Sequence, residues 1–151
     1  MVCLGNICRS PMAEGILKHK AAERGVSIIV DSAGTGGWHA GEHPDKRAIH
    51  MSKKFGVDIS NLVARKFTQK DFDHFDRIYV MDHSNRMDVL SMARNEMDSN
   101  KVDLLLNLNM PGSNSEVPDP WYGGEDGFRD VFEMMDDACE ALINSLTGQT
   151  S

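Results

Sequence analysis

The sequence lacks the features that would direct a protein into a membrane or out of the cell. It has no apolar run long enough to span a membrane, no signal-peptide pattern and no repeated or low-complexity segment. Cysteine is scarce, since the chain has only three, and two of them lie in one short segment. Such a set does not fit the disulfide framework of a secreted protein and suits a reducing compartment. We therefore expect a soluble, cytoplasmic protein with no membrane partner.

Basic residues are also fewer than acidic residues. The chain has 16 Lys and Arg against 23 Asp and Glu, which gives a formal net charge of −7. Nonspecific nucleic-acid binding needs many basic contacts to phosphates, so this balance argues against a nucleic-acid partner. The six histidines are scattered without metal-ligand spacing, and no Cys-x-x-Cys pair is present, so we predict no metal site and no cofactor. The 151 residues, 40% of them hydrophobic, are enough for one domain over 1–151.

A loop near the N-terminus combines a nucleophile with groups that bind anions. Cys3 and Arg9 are separated by five residues, and a helix start follows at Ser10. Backbone N–H groups of such a turn, together with the helix N-terminus, can bind an oxyanion. Arg9 can grip two phosphoryl oxygens at once, and the same positive field favours the thiolate form of Cys3. Gly5 allows close backbone approach and Asn6 tolerates a left-handed conformation, so the segment predicts a phosphate-binding loop.

Helical and strand patterns alternate along the rest of the chain. Apolar spacing and capping signals predict helices over 11–24, 44–56 and 68–72, around 87–93, and over 128–142. Short β-branched or aliphatic runs predict strands over 26–30, 78–81 and 102–106. This alternation predicts an α/β fold, a doubly wound, four-stranded parallel sheet with helices on both faces.

Chemically useful residues follow the predicted strands. Cys3, Gly34, Trp38, Asp82 and the loop before Asp119 all come after a strand. Right-handed crossovers bring every strand-to-helix loop to the same sheet edge, where open α/β sheets bind their ligands. We therefore expect these residues to gather around the Cys3 loop.

The loop and several later segments, in order along nearly the whole chain, resemble the low-molecular-weight protein tyrosine phosphatases. The matching segments are Cys3-Leu4-Gly5-Asn6-Ile7-Cys8-Arg9-Ser10, Asp31-Ser32-Ala33-Gly34-Thr35, Trp38, Ala64-Arg65, Met81-Asp82-His83-Ser84-Asn85 and Asp119-Pro120-Trp121-Tyr122-Gly123-Gly124. The resemblance implies hydrolysis of phosphotyrosine in proteins through a cysteinyl-phosphate on Cys3. Arg9 would stabilise the transition state, and Asp119 would act as general acid and then general base. Phosphate and other oxyanions would then be inhibitors.

The resemblance also implies supporting roles around the loop. Ser10 would donate a hydrogen bond to the Cys3 thiolate, although a helix N-cap is an alternative role for it. Ser32 would brace the loop through Asn6, while the histidine that the family usually has beside this network is replaced by Leu62. The phosphate-binding loop would comprise Leu4, Gly5, Asn6, Ile7, Cys8 and Ser10, and the walls of the substrate slot Leu4, Trp38, Trp121 and Tyr122.

The other cysteines have separate expected roles. Cys8 lies five residues from Cys3 in the same loop, so a disulfide between the two could protect the nucleophile from irreversible oxidation. Simple packing is the alternative for Cys8. Cys139 lies on the apolar face of the last helix and is expected to be a core residue.

The sequence departs from the family at its start, where only Met1 and Val2 precede the nucleophile and the first strand looks truncated. From this we expect the true start to lie upstream of Met1.

The sequence disfavours three other functions. A protein-arginine phosphatase is disfavoured because family members with that specificity carry threonine where this chain has Ile7. An arsenate reductase needs a downstream cysteine pair, and only Cys139 lies beyond the loop. A phosphate-binding module without turnover is disfavoured by the presence of Cys3, Arg9 and Asp119 together.

Overall fold

A four-stranded parallel sheet forms the centre of the structure. The computed structural model describes residues 1–148, apart from the side chain of Tyr122. The strands are β1 (Val2–Cys3), β2 (Ala33–Gly34), β3 (Ile78–Val80) and β4 (Val102–Leu104). Their order is β2-β1-β3-β4, and all three pairings are parallel. The predicted α/β architecture is therefore confirmed.

Helices connect and cover the strands. They are α1 (Arg9–Glu23), α2 (Lys46–Lys54), α3 (Lys70–His74), α4 (His83–Ser91), α5 (Glu96–Asn100) and α6 (Gly124–Thr147), with 3₁₀ turns at Leu105–Leu108 and Pro120–Tyr122. Within residues 1–148, no helix has both the length and the apolar character to cross a membrane.

Successive residues of β1 face opposite sides of the sheet, as strand geometry requires. Cys3 packs in a buried cluster with α1 and α6, whereas Val2 packs in a second cluster with Phe72 and Val89. Helices therefore cover both faces, and the nucleophile candidate lies on the side of the larger cluster.

Helix α6 carries the apolar face expected from its spacing. Phe128, Phe132, Met135 and Leu142 are all buried, and α6 makes its most extensive packing against α1. Burial of each side chain of this size stabilises the fold by about 1.5–3 kcal/mol. This packing fixes α1, and thereby the loop from which α1 emerges.

The strand predicted over 26–30 is wrong. Residues 26–32 form no strand, and Ile29 is 88% exposed. Their β-branched composition suits a strand, but parallel pairing with β1 occurs opposite Val2 and Cys3, and those two residues pair with Ala33 and Gly34. Hence β2 forms later in the chain than its composition predicts.

Two smaller differences concern β4 and the short helix α5. The strand predicted over 102–106 ends at Leu104, because the chain turns into a 3₁₀ helix at the buried Leu105. Helix α5 was not predicted, and its start is capped by Asn95, whose side chain accepts a hydrogen bond from the Asp98 N–H at 2.9 Å. Neither difference moves the carboxyl edge of the sheet.

Four segments meet at the carboxyl edge. Loop 4–8 follows β1, residues 35–45 follow β2, and Asp82 follows β3. A later segment joins them because the Val117 N–H donates to the Met81 carbonyl at 2.8 Å. This contact brings the chain leading to Asp119 to the same edge as Cys3.

Candidate active site

The loop between β1 and α1 has free amide donors and a left-handed residue. None of the backbone N–H groups of residues 4–8 donates to a backbone carbonyl within residues 1–148. Asn6 has φ +56°, the left-handed conformation expected for it. Close approach of β2 requires glycine at position 34, where a Cβ would lie 2.8 Å from the Leu4 carbonyl oxygen. The result is a tight loop with several amides available to an anion.

A buried hydrogen-bond network supports Cys3 from behind the loop. The Cys3 Sγ lies 3.0 Å from the Ser10 Oγ. Asn6 Nδ2 donates to Ser10 Oγ at 2.7 Å and to Ser32 Oγ at 2.9 Å. Because Ser10 accepts from Asn6, its own proton is available to donate to a thiolate at Cys3. Ser10 lies inside α1, which begins at Arg9, so its hydroxyl is not used as an N-cap.

The network ends in a buried carboxylate that the sequence did not indicate. Ser32 Oγ donates to Glu14 Oε1 at 2.6 Å, and Glu14 is 3% exposed. Its other oxygen is ion-paired with Lys18 one helical turn later. On the other side, Asn6 Oδ1 accepts from the Arg65 N–H at 3.1 Å. The contacts of Asn6 thus fix the orientation of its amide, and this network contains no side chain of Leu62.

Arg9 is held at the start of α1 by two acceptors. It is 4% exposed, and its Nη1 donates to Asp82 Oδ2 at 2.7 Å and to the Val117 carbonyl at 2.9 Å. Asp82 also caps α4, where its Oδ1 accepts from the Asn85 N–H at 2.8 Å. The contacts found within residues 1–148 use only Nη1, which leaves Nε and Nη2 for an oxyanion.

Asp119 lies exposed on the loop above Arg9, between Pro118 and Pro120. One of its oxygens, Oδ1, accepts a hydrogen bond from the Trp121 N–H at 3.0 Å and caps the 3₁₀ turn that follows. That contact orients the carboxyl group and leaves Oδ2 available for proton transfer.

These parts surround one small cavity of about 170 Å³. It is lined by Cys3, Leu4, Gly5, Ile7, Cys8, Arg9, Trp38, His39, Asp119 and Trp121. The side chain of Tyr122, expected as a slot wall, lies outside the described part of the chain. A larger groove of about 460 Å³ lies elsewhere, between residues 27–33 and 74–79, and contains none of the expected catalytic side chains.

Sequence reasoning missed two residues that contact the site. His39 lines the cavity beside Trp38, with its Nδ1 2.8 Å from Glu42 Oε2, and Arg47 holds the Asp119 loop through the Trp121 carbonyl. No motif in the sequence marks His39 or Arg47 as a site residue. Asp82, expected at this sheet edge because it follows a strand, does lie here and accepts a hydrogen bond from Arg9.

The remaining cysteines differ in position and chemistry. Cys8 is buried in the loop, and its burial, with Asp45 nearby, raises the pKa of its thiol far above the usual value. Cys139 is fully buried between α6 and α1, and burial raises its pKa to about 12. Both are therefore thiols at neutral pH.

Comparisons with known proteins show the family to which the chain belongs. The family model for low molecular weight phosphotyrosine protein phosphatases matches residues 1–151. The chain is 39% identical over 148 residues to the low molecular weight phosphotyrosine protein phosphatase of Schizosaccharomyces pombe, covering 96% of this chain and 94% of the relative.

Two solved structures are similar over almost the whole chain. A protein tyrosine phosphatase from Entamoeba histolytica, with Hepes in its active site, has a TM-score of 0.90 and 38% identity, and the match covers 97% of this chain and 94% of that one. A Drosophila arginine phosphatase has a TM-score of 0.87 and 33% identity, with coverage of 95% and 94%. The chain therefore belongs to the low molecular weight phosphotyrosine protein phosphatase family and is a hydrolase of the protein-tyrosine phosphatase class.

Proposed function

We propose that this phosphatase hydrolyses phosphotyrosine in proteins through a cysteinyl-phosphate on Cys3. The observation that carries the proposal is the shared cavity of Cys3, Arg9 and Asp119, lined by a loop whose amides donate to no backbone carbonyl within residues 1–148. A nucleophile, an oxyanion clamp and a proton donor are the three groups that the two-step reaction needs.

In the first step, the Cys3 thiolate attacks phosphorus while the bond from phosphorus to the tyrosyl oxygen breaks. Asp119 Oδ2 gives its proton to the departing phenolate, so tyrosine leaves neutral. The free edge of Arg9 and the amides of loop 4–8 bind the equatorial oxygens, where charge accumulates. Ser10 stabilises the thiolate before attack and again when the sulfur is released.

In the second step, water attacks the phosphorus of the cysteinyl-phosphate and the S–P bond breaks. Asp119, now ionised, takes a proton from the attacking water, and inorganic phosphate is released with the Cys3 thiolate restored. The same carboxyl group thus serves both steps, and its exposure allows water to reach it.

The cavity walls favour an aryl ester. Leu4, Trp38 and Trp121 are exposed, apolar side chains around the cavity, and Trp38 is 73% exposed. The flat rings of the two tryptophans can stack on a phenyl group. The buried position of Arg9 then favours a substrate long enough to carry its phosphate to the base of the cavity. Ile7 at the wall offers no hydroxyl to a guanidinium, so phosphotyrosine is preferred over phosphoarginine.

Oxyanions are expected to inhibit by occupying the same loop. Hepes, a sulfonate buffer, is in the active site of the Entamoeba relative, and the amides and Arg9 here suit phosphate in the same way. Three free cysteines fit a reducing compartment, and we place the enzyme in the cytoplasm.

The decisive experiment combines trapping with substrate choice. Acid quenching during turnover of a ³²P-phosphotyrosine peptide should leave label on the peptide containing Cys3, and the Cys3→Ser variant should carry none. Arg9→Lys should lose about 10³-fold in kcat, because a point charge cannot replace the planar fork. Absence of a phosphorylated Cys3 in active enzyme would overturn the proposal.

Parallel assays separate the competing functions. Phosphotyrosine, phosphoserine and phosphoarginine peptides are compared at equal concentration, and a preference for phosphoarginine would favour the other specificity. Burst kinetics with para-nitrophenyl phosphate identify turnover, since a binding module gives neither burst nor steady release. An arsenate reductase is poorly compatible with Cys139, which is fully buried and far from being a thiolate.

A further inference from the structure

Arg47, in the first turn of α2, contacts and holds the loop that carries Asp119. Its Nη1 donates to the Trp121 carbonyl at 2.7 Å. Its guanidinium also lies over the Trp121 ring, with 4.8 Å from Cζ to the ring centroid, and over the Phe128 ring at 4.9 Å. One side chain thus holds Trp121 by both its backbone and its ring.

The guanidinium is itself held in place by Asp45. Arg47 Nε donates to Asp45 Oδ1 at 3.1 Å and Nη2 to Asp45 Oδ2 at 3.2 Å, which is the two-pronged geometry of a strong arginine–carboxylate pair. The Asp45 N–H in turn donates to the Ile7 carbonyl at 2.8 Å. Asp45 therefore ties Arg47 to the loop that surrounds the phosphate position.

The same contacts continue to the catalytic carboxyl group. Trp121, held by Arg47, uses its own N–H to bind Asp119 Oδ1 at 3.0 Å. This series of contacts therefore sets the distance between the phosphate-binding loop and the proton donor. It runs from Ile7 through Asp45, Arg47 and Trp121 to Asp119. Proton transfer depends steeply on such placement, since a shift of about 1 Å can cost about 10²-fold in rate.

We propose that Arg47 is a positioning residue that aligns Asp119 with the leaving oxygen of the substrate. The inference rests on the proposed role of Asp119 as general acid. It predicts that loss of Arg47 acts on protonation of the leaving group and not on phosphate binding. Arg47 itself does not need to touch the substrate.

The test uses leaving groups that differ in their need for a proton. For Arg47→Met and wild type, kcat/KM is measured with phenyl phosphate and with 2,4-dinitrophenyl phosphate, whose phenol is far more acidic. We expect Arg47→Met to lose about 10-fold to 100-fold on phenyl phosphate and to keep most of its activity on the dinitrophenyl ester. The inhibition constant of inorganic phosphate should stay within about 3-fold of wild type.

Three further variants make the outcome decisive. Lys46→Met removes one positive charge from an exposed neighbour and should behave as wild type on both substrates. Asp119→Asn should show the same leaving-group dependence as Arg47→Met, more strongly. If Arg47→Met fails to fold by circular dichroism, Asp45→Asn replaces it, because asparagine still caps α2 but breaks the two-pronged pair.

Each outcome of these assays decides between the proposed roles of Arg47 and Asp119. An equal loss on both esters, or no loss, in the folded Arg47 or Asp45 variant overturns the positioning role. A flat response of Asp119→Asn overturns the general-acid role itself, and with it the proposed mechanism. Leaving-group dependence in Asp119→Asn alone rejects only the inference on Arg47.

Discussion

Asp82 binds Arg9 through a single nitrogen of the guanidinium. The Nη1 of Arg9 lies 2.7 Å from Asp82 Oδ2 and 2.9 Å from the Val117 carbonyl oxygen, and these contacts leave Nε and Nη2 of this cavity-lining side chain for an oxyanion. Arg9 is 4% exposed, which makes the carboxylate its compensating charge in a region poor in water. The buried cation and the orientation of its fork thus depend on Asp82.

Asp82→Asn should weaken phosphate binding while keeping the fold. Asparagine can still cap α4 at Asn85 but removes the charge that orients Arg9. We expect kcat/KM for para-nitrophenyl phosphate to fall about 10-fold to 100-fold, in line with the 1.5–3 kcal/mol of a charged hydrogen bond. Asp88→Asn, exposed on the same helix, is the control and should match wild type. Unchanged kcat/KM in folded Asp82→Asn would contradict this role.

Two substitutions of Asn6 separate its backbone conformation from its hydrogen bonds. Asn6→Gly tolerates φ +56° but loses the bonds to Ser10, Ser32 and the Arg65 N–H, and should lower the free energy of unfolding by about 1–3 kcal/mol. Asn6→Ala adds left-handed strain and should lower it by about 1–2 kcal/mol more. Urea unfolding measures both values.

Activity of the same pair tests what the network does. If the side-chain network holds the loop, Asn6→Gly and Asn6→Ala should lose similar factors in kcat, because both lack the amide. A glycine variant with wild-type kcat would show that the backbone conformation alone suffices.

Carboxymethylation should distinguish Cys3 from Cys8 and Cys139, whose thiols have raised pKa values. Burial raises the pKa of Cys139 to about 12 and also raises that of Cys8 well above its usual value, so both remain protonated between pH 6 and 9. Only the thiolate reacts, and its fraction at these two positions grows only as the pH approaches the raised pKa. Iodoacetate should therefore label Cys3 alone in the folded protein across this range, and inorganic phosphate should slow the labelling.

Peptide mapping by mass spectrometry reads the result, and protein unfolded in urea is the control in which all three cysteines react. Labelling of Cys139 in the folded protein at a rate comparable to Cys3 would contradict both its burial and its protonation.

The helices and strands could be predicted from the sequence wherever the local residue pattern agrees with the packing in the structure. The apolar spacing of Phe128, Phe132 and Met135 predicts α6 because the same face is buried in the structure. The strand predicted over 26–30 is wrong because strand formation depends on a pairing partner. The backbone of β1 pairs instead with Ala33 and Gly34. Strand existence is thus a property of two segments, and one segment alone cannot reveal it.

The residues of the candidate site likewise fall into those that the sequence predicts and those that it does not. Cys3, Arg9 and Asp119 could be predicted because their chemistry is carried by residue type and by a short motif, and the structure brings all three to one cavity. Glu14 and Arg47 could not, since each acts through contacts with residues distant in the sequence, Ser32 and Trp121. Which charged side chain supports a site depends on packing that the sequence pattern does not encode.

The position of Cys8 predicts a reversible response to peroxide. We expect hydrogen peroxide to oxidise Cys3 to a sulfenic acid, whose sulfur the Cys8 sulfur then attacks to form a disulfide with release of water. Both cysteines are buried in one loop beside the same cavity, so the disulfide would shield Cys3 from further oxidation. Because burial raises the pKa of Cys8, disulfide formation should become faster as the pH rises.

Wild type inactivated by hydrogen peroxide should therefore recover most of its activity with dithiothreitol, whereas Cys8→Ser should recover several-fold less and accumulate sulfinic acid at Cys3. Cys139→Ser is the matched control, because Cys139 is buried between α1 and α6 and lies outside the cavity. It should recover as wild type does. Equal recovery of wild type and Cys8→Ser would show that Cys8 is a packing residue only, because packing alone does not protect Cys3 from irreversible oxidation.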